Sequence, residues 1–404
     1  MAAKRSGSGV SSMGLVLSGG GARAAYQVGV LKALGDMLPR GARNPFPIIC
    51  GTSAGAINAT AIATHAQRFR AATRGLEAVW SEFHADHIYR TEFSTLATSA
   101  LRWLTALFFG GLGVRRPASL LDSEPLRELL ARLVRFDRIR AALAAGDLAA
   151  VSVTASAYHS GESVAFFEGA PHLQGWRRAR RVGVPTRLGL DHLMASSAIP
   201  GIFPAVRLED EYFGDGSVRQ LAPISPALHL GADRVMVIGV GGTFRAPPWQ
   251  AEELKSPSIA EIAGHLLDSA FLDSLEGDIE RLKRINRTIS LIPEKVRQRE
   301  GLELRPIDVL TISPSQPLGI IATEQAYELP RSMRFFLRGA GATSDPSGSA
   351  VMSYLLFEQG YCRRLIRLGY SDALKREPEI LRFLGYDPVA LHGGKAAFPP
   401  QDVW

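Results

Sequence analysis

Phe46-Pro47-Ile48-Ile49-Cys50-Gly51-Thr52-Ser53-Ala54-Gly55 is the stretch that decides the fold. Phe46 to Cys50 reads as a short buried strand. Gly51 to Gly55 reads as a tight turn, and Ala56 to about His65 as a helix of small residues. The turn matches G-x-S-x-G in the strand–turn–helix setting that the motif demands. Glycines two before and two after Ser53 allow a strained turn that projects the hydroxyl. They also leave room for the strand and the helix to cross closely.

A second unit of the same kind lies upstream. Met13 to Leu17 is a strand-like apolar run, Ser18-Gly19-Gly20-Gly21 a turn, and Ala24 to Leu38 a periodic helix stopped by Pro39. Three successive glycines at a helix start expose several N–H groups, which favour a phosphate or a developing oxyanion. Arg23 adds a positive charge. Gly19 to Ala24 also fits a loose dinucleotide fingerprint, but that needs a carboxylate at the end of the second strand. That strand ends in Cys50-Gly51, so nucleotide binding is disfavoured.

Downstream, Ala149–Ala157, Val164–Phe167 and Arg234–Val240 read as further strands, with helices between them. The alternation predicts an α/β protein: a three-layer α/β/α core with a mostly parallel central sheet. Ala246-Pro247-Pro248 begins a linker. Beyond it, Ile259 to Ile285 is an amphipathic helix, and Thr288–Ile292 and Ile307–Ile312 are expected strands that extend the sheet. Val351–Leu368 and Glu377–Leu384 read as helices, while 322–345 shows no clear pattern. The expected division is a flexible tail at 1–12, a core at 13–243 and an α-rich extension at 244–404, the last a lid or an oligomer surface.

Tyr212-Phe213-Gly214-Asp215-Gly216-Ser217 is the third feature. A serine nucleophile needs a base, and glycines on both sides let the Asp215 carboxylate approach another backbone. Taken alone, Gly-Asp-Gly is ordinary turn composition. His229 or His265 could complete a Ser, Asp, His order. In that fold, however, several strands precede the serine, and here one strand–helix unit does. His84 and His87 are spaced i, i+3 without a carboxylate at metal-ligand spacing, so no metal is expected. His192 reads as a packing residue.

Taken in order, these features resemble the patatin-like phospholipase family. The residues that carry the resemblance are Leu17–Arg23, Gly51–Gly55, Asp215-Gly216 and the preceding Ala195-Ser196-Ser197-Ala198-Ile199-Pro200-Gly201-Ile202-Phe203-Pro204. It covers about residues 13–243. The resemblance implies a Ser–Asp dyad without a catalytic histidine, with Ser53 as nucleophile and Asp215 as base. It implies an oxyanion hole from the N–H groups of Gly19, Gly20 and Gly21, supported by Arg23. Gly51, Gly55 and Gly216 complete the motifs. The implied reaction is hydrolysis of lipid acyl esters through an acyl-enzyme, with no cofactor. Two positions depart from the family pattern: Ala24 and Ser217 stand where glycine is frequent. Ser217 is placed to hydrogen-bond Asp215 and alter its basicity.

Composition bounds the partners. The chain has 404 residues, 46% hydrophobic and 21% charged, which fits a globular protein rather than a disordered or coiled one. Lysine and arginine number 46 against 39 acidic residues, a net charge of +7. That suits an anionic partner. No basic stripe is interleaved with aromatics, so a lipid surface is expected and nucleic acid is not. Cys50 and Cys362 form neither a disulfide framework nor a zinc site, and suit a reducing compartment. No apolar run is long enough for a membrane span or a signal-peptide core. The expectation is therefore a cytoplasmic protein, peripheral to the inner face of the membrane. Trp103, Phe108 and Phe109, followed by Arg115 and Arg116, are the candidate membrane contacts. Two alternatives remain: an esterase or thioesterase acting on soluble acyl esters, and an idle lipid-binding regulator. The sequence leaves the oligomeric state open.

Overall fold

The computed structural model describes residues 12–90, 92, 98, 119–242, 256, 258–302, 304–339, 341 and 349–391. The expected tail, Ser12 apart, and the candidate membrane contacts Trp103, Phe108 and Phe109 lie outside the described residues.

The strands are β1 (Met13–Leu17), β2 (Ile48–Thr52), β3 (Ala150–Ala157), β4 (Ser163–Gly169), β5 (Trp176–Arg178), β6 (Arg181–Pro185), β7 (Val206–Leu208), β8 (Glu211–Asp215), β9 (Arg234–Ile238) and β10 (Asp308–Ile312). They form one sheet in the order β10-β9-β1-β2-β3-β4-β6-β5, with β8 paired to β3 and β7. From β10 to β3 every pairing is parallel. Antiparallel pairs enter at β3–β4, β5–β6, β3–β8 and β7–β8.

The central strands are buried and mostly apolar because both faces are covered. Leu15 and Leu17 of β1, and Met236 and Ile238 of β9, face one hydrophobic cluster. Val16, Val235 and Val237 face a second. The period of two thus splits each strand between two helical layers, as a three-layer core requires.

The helices that matter for the site are α1 (Ala25–Met37), α2 (Ala54–Thr64), α3 (Phe69–Ser81), α4 (Glu124–Leu133), α5 (Phe136–Ala144), α6 (Leu190–Ser196), α7 (Ile259–Asp268), α8 (Ser274–Ser290), α9 (Ser349–Leu355) and α10 (Gln359–Lys375). A π-helical turn, Ser269–Asp273, joins α7 to α8. The 322–345 region contributes a helix at Arg331–Gly339.

One expected strand is absent. Thr288–Ile292 contains the end of α8 and the turn that follows it. Its β-branched residues suggest a strand, but Leu275, Leu282 and Ile289 recur every seven residues and are all buried. Leu275 and Leu282 join the cluster on the Val16 face of the sheet. A helical stripe that buries three large side chains outweighs a local strand preference. The other expected strand, at 307–312, is β10, which pairs with β9.

Candidate active site

The sheet register brings the predicted residues together. Leu17 lies opposite Gly51, so the loops leaving β1 and β2 begin at one level. Thr52 pairs with Thr154, and the next residue of β3, Ala155, pairs with Asp215. Asp215 therefore stands level with Ser53, from a segment far away in sequence.

Ser53 sits at φ 55°, ψ −133°, a conformation that costs a non-glycine residue of the order of 1–3 kcal/mol. The glycines around it allow this turn. A Cβ on Gly55 would collide with the carbonyl oxygens of Leu17 and Ser18, and one on Gly51 with the Gly55 carbonyl oxygen. A Cβ on Gly216 would strike the Thr154 carbonyl oxygen. All three glycines are needed for close backbone approach.

Ser196 and Ala198 brace Ser53 and Asp215 from one segment. The Ser53 N–H donates to Ser196 Oγ at 2.8 Å, and Ser196 Oγ donates to the Thr154 carbonyl at 2.6 Å. The Asp215 N–H donates to the Ala198 carbonyl at 2.8 Å. The segment that carries the family resemblance before the aspartate is thus a positioning element.

Asp215 is fully buried, and its Oδ1 accepts the Ser217 N–H at 2.9 Å. Its Oδ2 is buried with no hydrogen-bond partner. Burial pushes the Asp215 pKa up to about 6, against the opposing pull of the Ser53 hydroxyl and of Ser217. The Ser53 hydroxyl thus lies close enough to the carboxylate to favour its charged form. Ser217 bonds Asp215 through its backbone N–H, which a glycine would also supply, and that bond pulls the Asp215 pKa down.

Gly21 and Ser53 both line a cavity of about 270 Å³. Among the described residues, no protein acceptor is found for the N–H groups of Gly19, Gly20 and Gly21. Gly21 has φ +54°, and a Cβ there would run into the Tyr354 carbonyl oxygen.

Arg23 is buried beneath this loop. Its Nε donates to Ser353 Oγ at 2.7 Å, and its Nη1 to Asp268 Oδ1 at 2.9 Å and to the Tyr354 hydroxyl at 3.0 Å. The guanidinium also lies 4.0 Å from the Tyr354 ring centroid. The Tyr354 hydroxyl donates to Asp268 at 2.7 Å, and burial holds its own pKa well above the usual range. Asp268, Ser353 and Tyr354 all come from beyond residue 244.

A second buried network was not expected. Gln27 Nε2 donates to the Ser18 and Ile238 carbonyls, Asn58 Nδ2 to Gln27 Oε1 and the Ala24 carbonyl, and Trp80 Nε1 to Asn58 Oδ1. It ties the loop after β1 to α2 and α3. A sequence signal was present for Asn58, the one amide in a helix of otherwise small or apolar residues, but not for Gln27, whose helix also carries Lys32 and Asp36.

The histidines stand elsewhere. His192 packs edge-on against Phe166, as expected. His229 stacks on Trp176 and bonds Ser225, outside the cavity that holds Ser53. His84 Nδ1 pairs with Glu358 Oε2 at 3.0 Å. Among the described residues, no group of three or more histidine, cysteine or acidic side chains could hold a metal.

A model of the family described as "Patatin-like phospholipase" matches residues 15–228, more than half of the chain. The chain belongs to the patatin-like phospholipase family. It is similar to a "cGAMP-activated phospholipase" of Pseudomonas aeruginosa, with 31% identity over 217 residues. That match covers 53% of this chain and 55% of the relative, so the chain spans about half the length of the curated protein it matches. Two solved structures are also similar. VipD from Legionella pneumophila has 14% identity and a TM-score of 0.36, covering 92% of this chain and 67% of that one. Human GIVD cytosolic phospholipase A2 has 15% identity and a TM-score of 0.38, covering 96% and 60%. The fold assignment rests on the family match and the sheet topology, not on these two scores.

Proposed function

We propose that this patatin-like protein is a lipid acyl hydrolase working through a Ser53–Asp215 dyad and an acyl-enzyme. The observation that carries the reading is the buried, unpartnered Asp215 Oδ2 beside a serine held at positive φ on the wall of an apolar cavity. Asp215 takes the Ser53 hydroxyl proton as the oxygen attacks the acyl carbonyl. The N–H groups of Gly19, Gly20 and Gly21 receive the developing oxyanion, and the helix behind them adds its positive end. Arg23 holds that loop in place without touching the substrate. Collapse of the tetrahedral intermediate expels the alcohol, which takes the proton from Asp215. Water, activated by the same carboxylate, then releases the fatty acid.

The chemistry belongs to residues 13–243, with the later residues serving as support. The reading extends to a peripheral enzyme that uses its positive charge to meet an anionic lipid surface, with Trp103, Phe108 and Phe109 entering the acyl layer. Among the described residues no helix is long and apolar enough to cross a membrane. Trp103→Asp is expected to weaken binding to anionic liposomes, and raised salt to weaken it further.

The test is labelling by a fluorophosphonate. Wild type is expected to label, and Ser53→Ala not to label. Folded wild-type protein that fails to label would overturn the reading. A panel of phospholipid, triacylglycerol, acyl-CoA and short soluble esters then separates a lipid hydrolase from a soluble esterase or thioesterase.

A further inference from the structure

The cavity at Ser53 has a direction. Tyr354 and Phe357 mark one end, because the Tyr354 carbonyl lies against Gly21. Trp80 and Phe83, from the end of α3 and just past it, pack on Phe357 with ring centroids 6.2 and 6.4 Å away. That is the Ser53 end. Residues 65–68 link α2 to α3, so Thr64 and His65 lie beside the start of α3 at the other end. His65 Nε2 lies 3.0 Å from Arg138 of α5, which places Leu133 and Val134, just before α5, at that end too. Leu121, just before α4, bonds the Ile202 backbone, which puts the start of α4 at the Ser53 end. The cavity is therefore a groove bounded by α2, α3 and α4, with the nucleophile at one end.

Its lining along α2 is Ile57, Ala61 and Thr64, one helical stripe. Opposite stands Gly75, on the cavity wall midway along α3. A Cβ added at Gly75 would meet nothing within 4 Å. A glycine in a helix interior is unfavourable relative to alanine, and no neighbour here forbids a side chain. Gly75 is itself exposed, so it stands where the groove opens to solvent, and the missing side chain leaves that opening wide.

The 11 residues of α2 rise about 16 Å, a length that an extended chain of roughly a dozen methylenes covers. A volume of about 270 Å³ is small for a ligand site, and suits one chain rather than two. We propose that this groove takes a single long acyl chain, extended along α2 from Ser53, and that Gly75 sets the chain length accepted. The proposal rests on the acyl-hydrolase reading for the identity of the bound group.

The experiment measures kcat/KM on p-nitrophenyl esters of four to sixteen carbons, for wild type, Gly75→Phe and Ala61→Phe, with thermal melts to establish folding. Burial of each methylene is worth about a fourfold gain, so wild-type kcat/KM is expected to climb with chain length and level off near a dozen carbons. Either variant is expected to lower the ratio for fourteen against four carbons at least tenfold. An unchanged ratio in both folded variants would overturn the proposal. A separate arm titrates a fluorescent long-chain fatty acid into Ser53→Ala protein, with and without Gly75→Phe. Should wild type cleave no ester, the hydrolase reading fails, and this arm still decides the groove. Binding weakened at least tenfold by Gly75→Phe supports it, and equal binding refutes it.

Discussion

The two loops that meet at the cavity are held in opposite ways. Ser53 is placed by backbone: its turn is allowed by Gly51 and Gly55, and its level is set by the β2–β3 register. The glycine loop is placed by side chains, with Arg23 clamped by Asp268, Ser353 and Tyr354. Backbone placement is local and rigid. Side-chain placement depends on residues more than 240 positions away, so it ties the chemistry of the first half to the folding of the second. Residues beyond 244 are part of the site's support: β10 extends the sheet, and α10 packs closely on α1, where a Cβ on Gly29 would meet the Ile366 carbonyl.

Removing the dyad is expected to have the largest effect. Asp215→Asn keeps the shape and removes the base, and is expected to lower kcat by about 10³–10⁴. The same variant sharpens the comparison through stability. The raised pKa means that the folded state binds its proton more tightly than the unfolded state, so stability falls as pH rises from about 4 to about 6. Above pH 6 the asparagine protein is expected to melt higher than wild type, by the order of 2–3 kcal/mol. Chemical denaturation at pH 8 checks this, and an unfolding free energy no higher than that of wild type would contradict the buried-carboxylate account.

Breaking the clamp comes next. Arg23→Leu removes the side chain that holds the glycine loop and leaves Asp268 and the Tyr354 hydroxyl without their cation. A loss of about 10² in kcat is expected, with KM nearly unchanged, because the oxyanion site acts in the transition state. Stability is expected to drop by about 2 kcal/mol, the buried-pair cost reduced because Asp268 is partly exposed. Retained kcat would separate the loop from the clamp and end the contrast drawn above.

A pH profile has a smaller effect. With Asp215 at about 6, kcat/KM is expected to fall about tenfold from pH 7 to pH 5 as the base is protonated. A profile flat across that range would remove Asp215 from the role of base. The smallest effect is expected from Asp268→Asn, a few-fold loss in kcat, since an amide keeps one acceptor for Arg23. Salt added to wild type should loosen the pair only in part, because Arg23 is buried although Asp268 is partly exposed.

Much of the site was legible because glycine is informative. Gly51, Gly55 and Gly216 mark places where only hydrogen fits, and those places surround Ser53 and Asp215. The central strands were legible from their unbroken apolar runs. The short strands β5, β7 and β8 carry no such run, with exposed residues such as Arg178, Arg207 and Tyr212. Thr288–Ile292 misled because strand preference is local, whereas Leu275 and Leu282, seven residues apart on the same helix, draw their burial from a distant sheet face.

The sequence by itself determined the α/β class, through its alternating apolar runs, and the glycine-flanked turn at Ser53, which needs a backbone that few residue types allow; Asp215 stood out only through the family resemblance. Only the tertiary structure decided that Ser196 accepts the Ser53 N–H, that Gln27 and Asn58 bind the two loops together, and that Arg23 is held by Asp268 and Tyr354. These are polar pairs between residues far apart along the chain. A serine or an asparagine has the same composition whether it meets solvent or a buried amide, and burial makes the pairing obligatory only once the layers have packed.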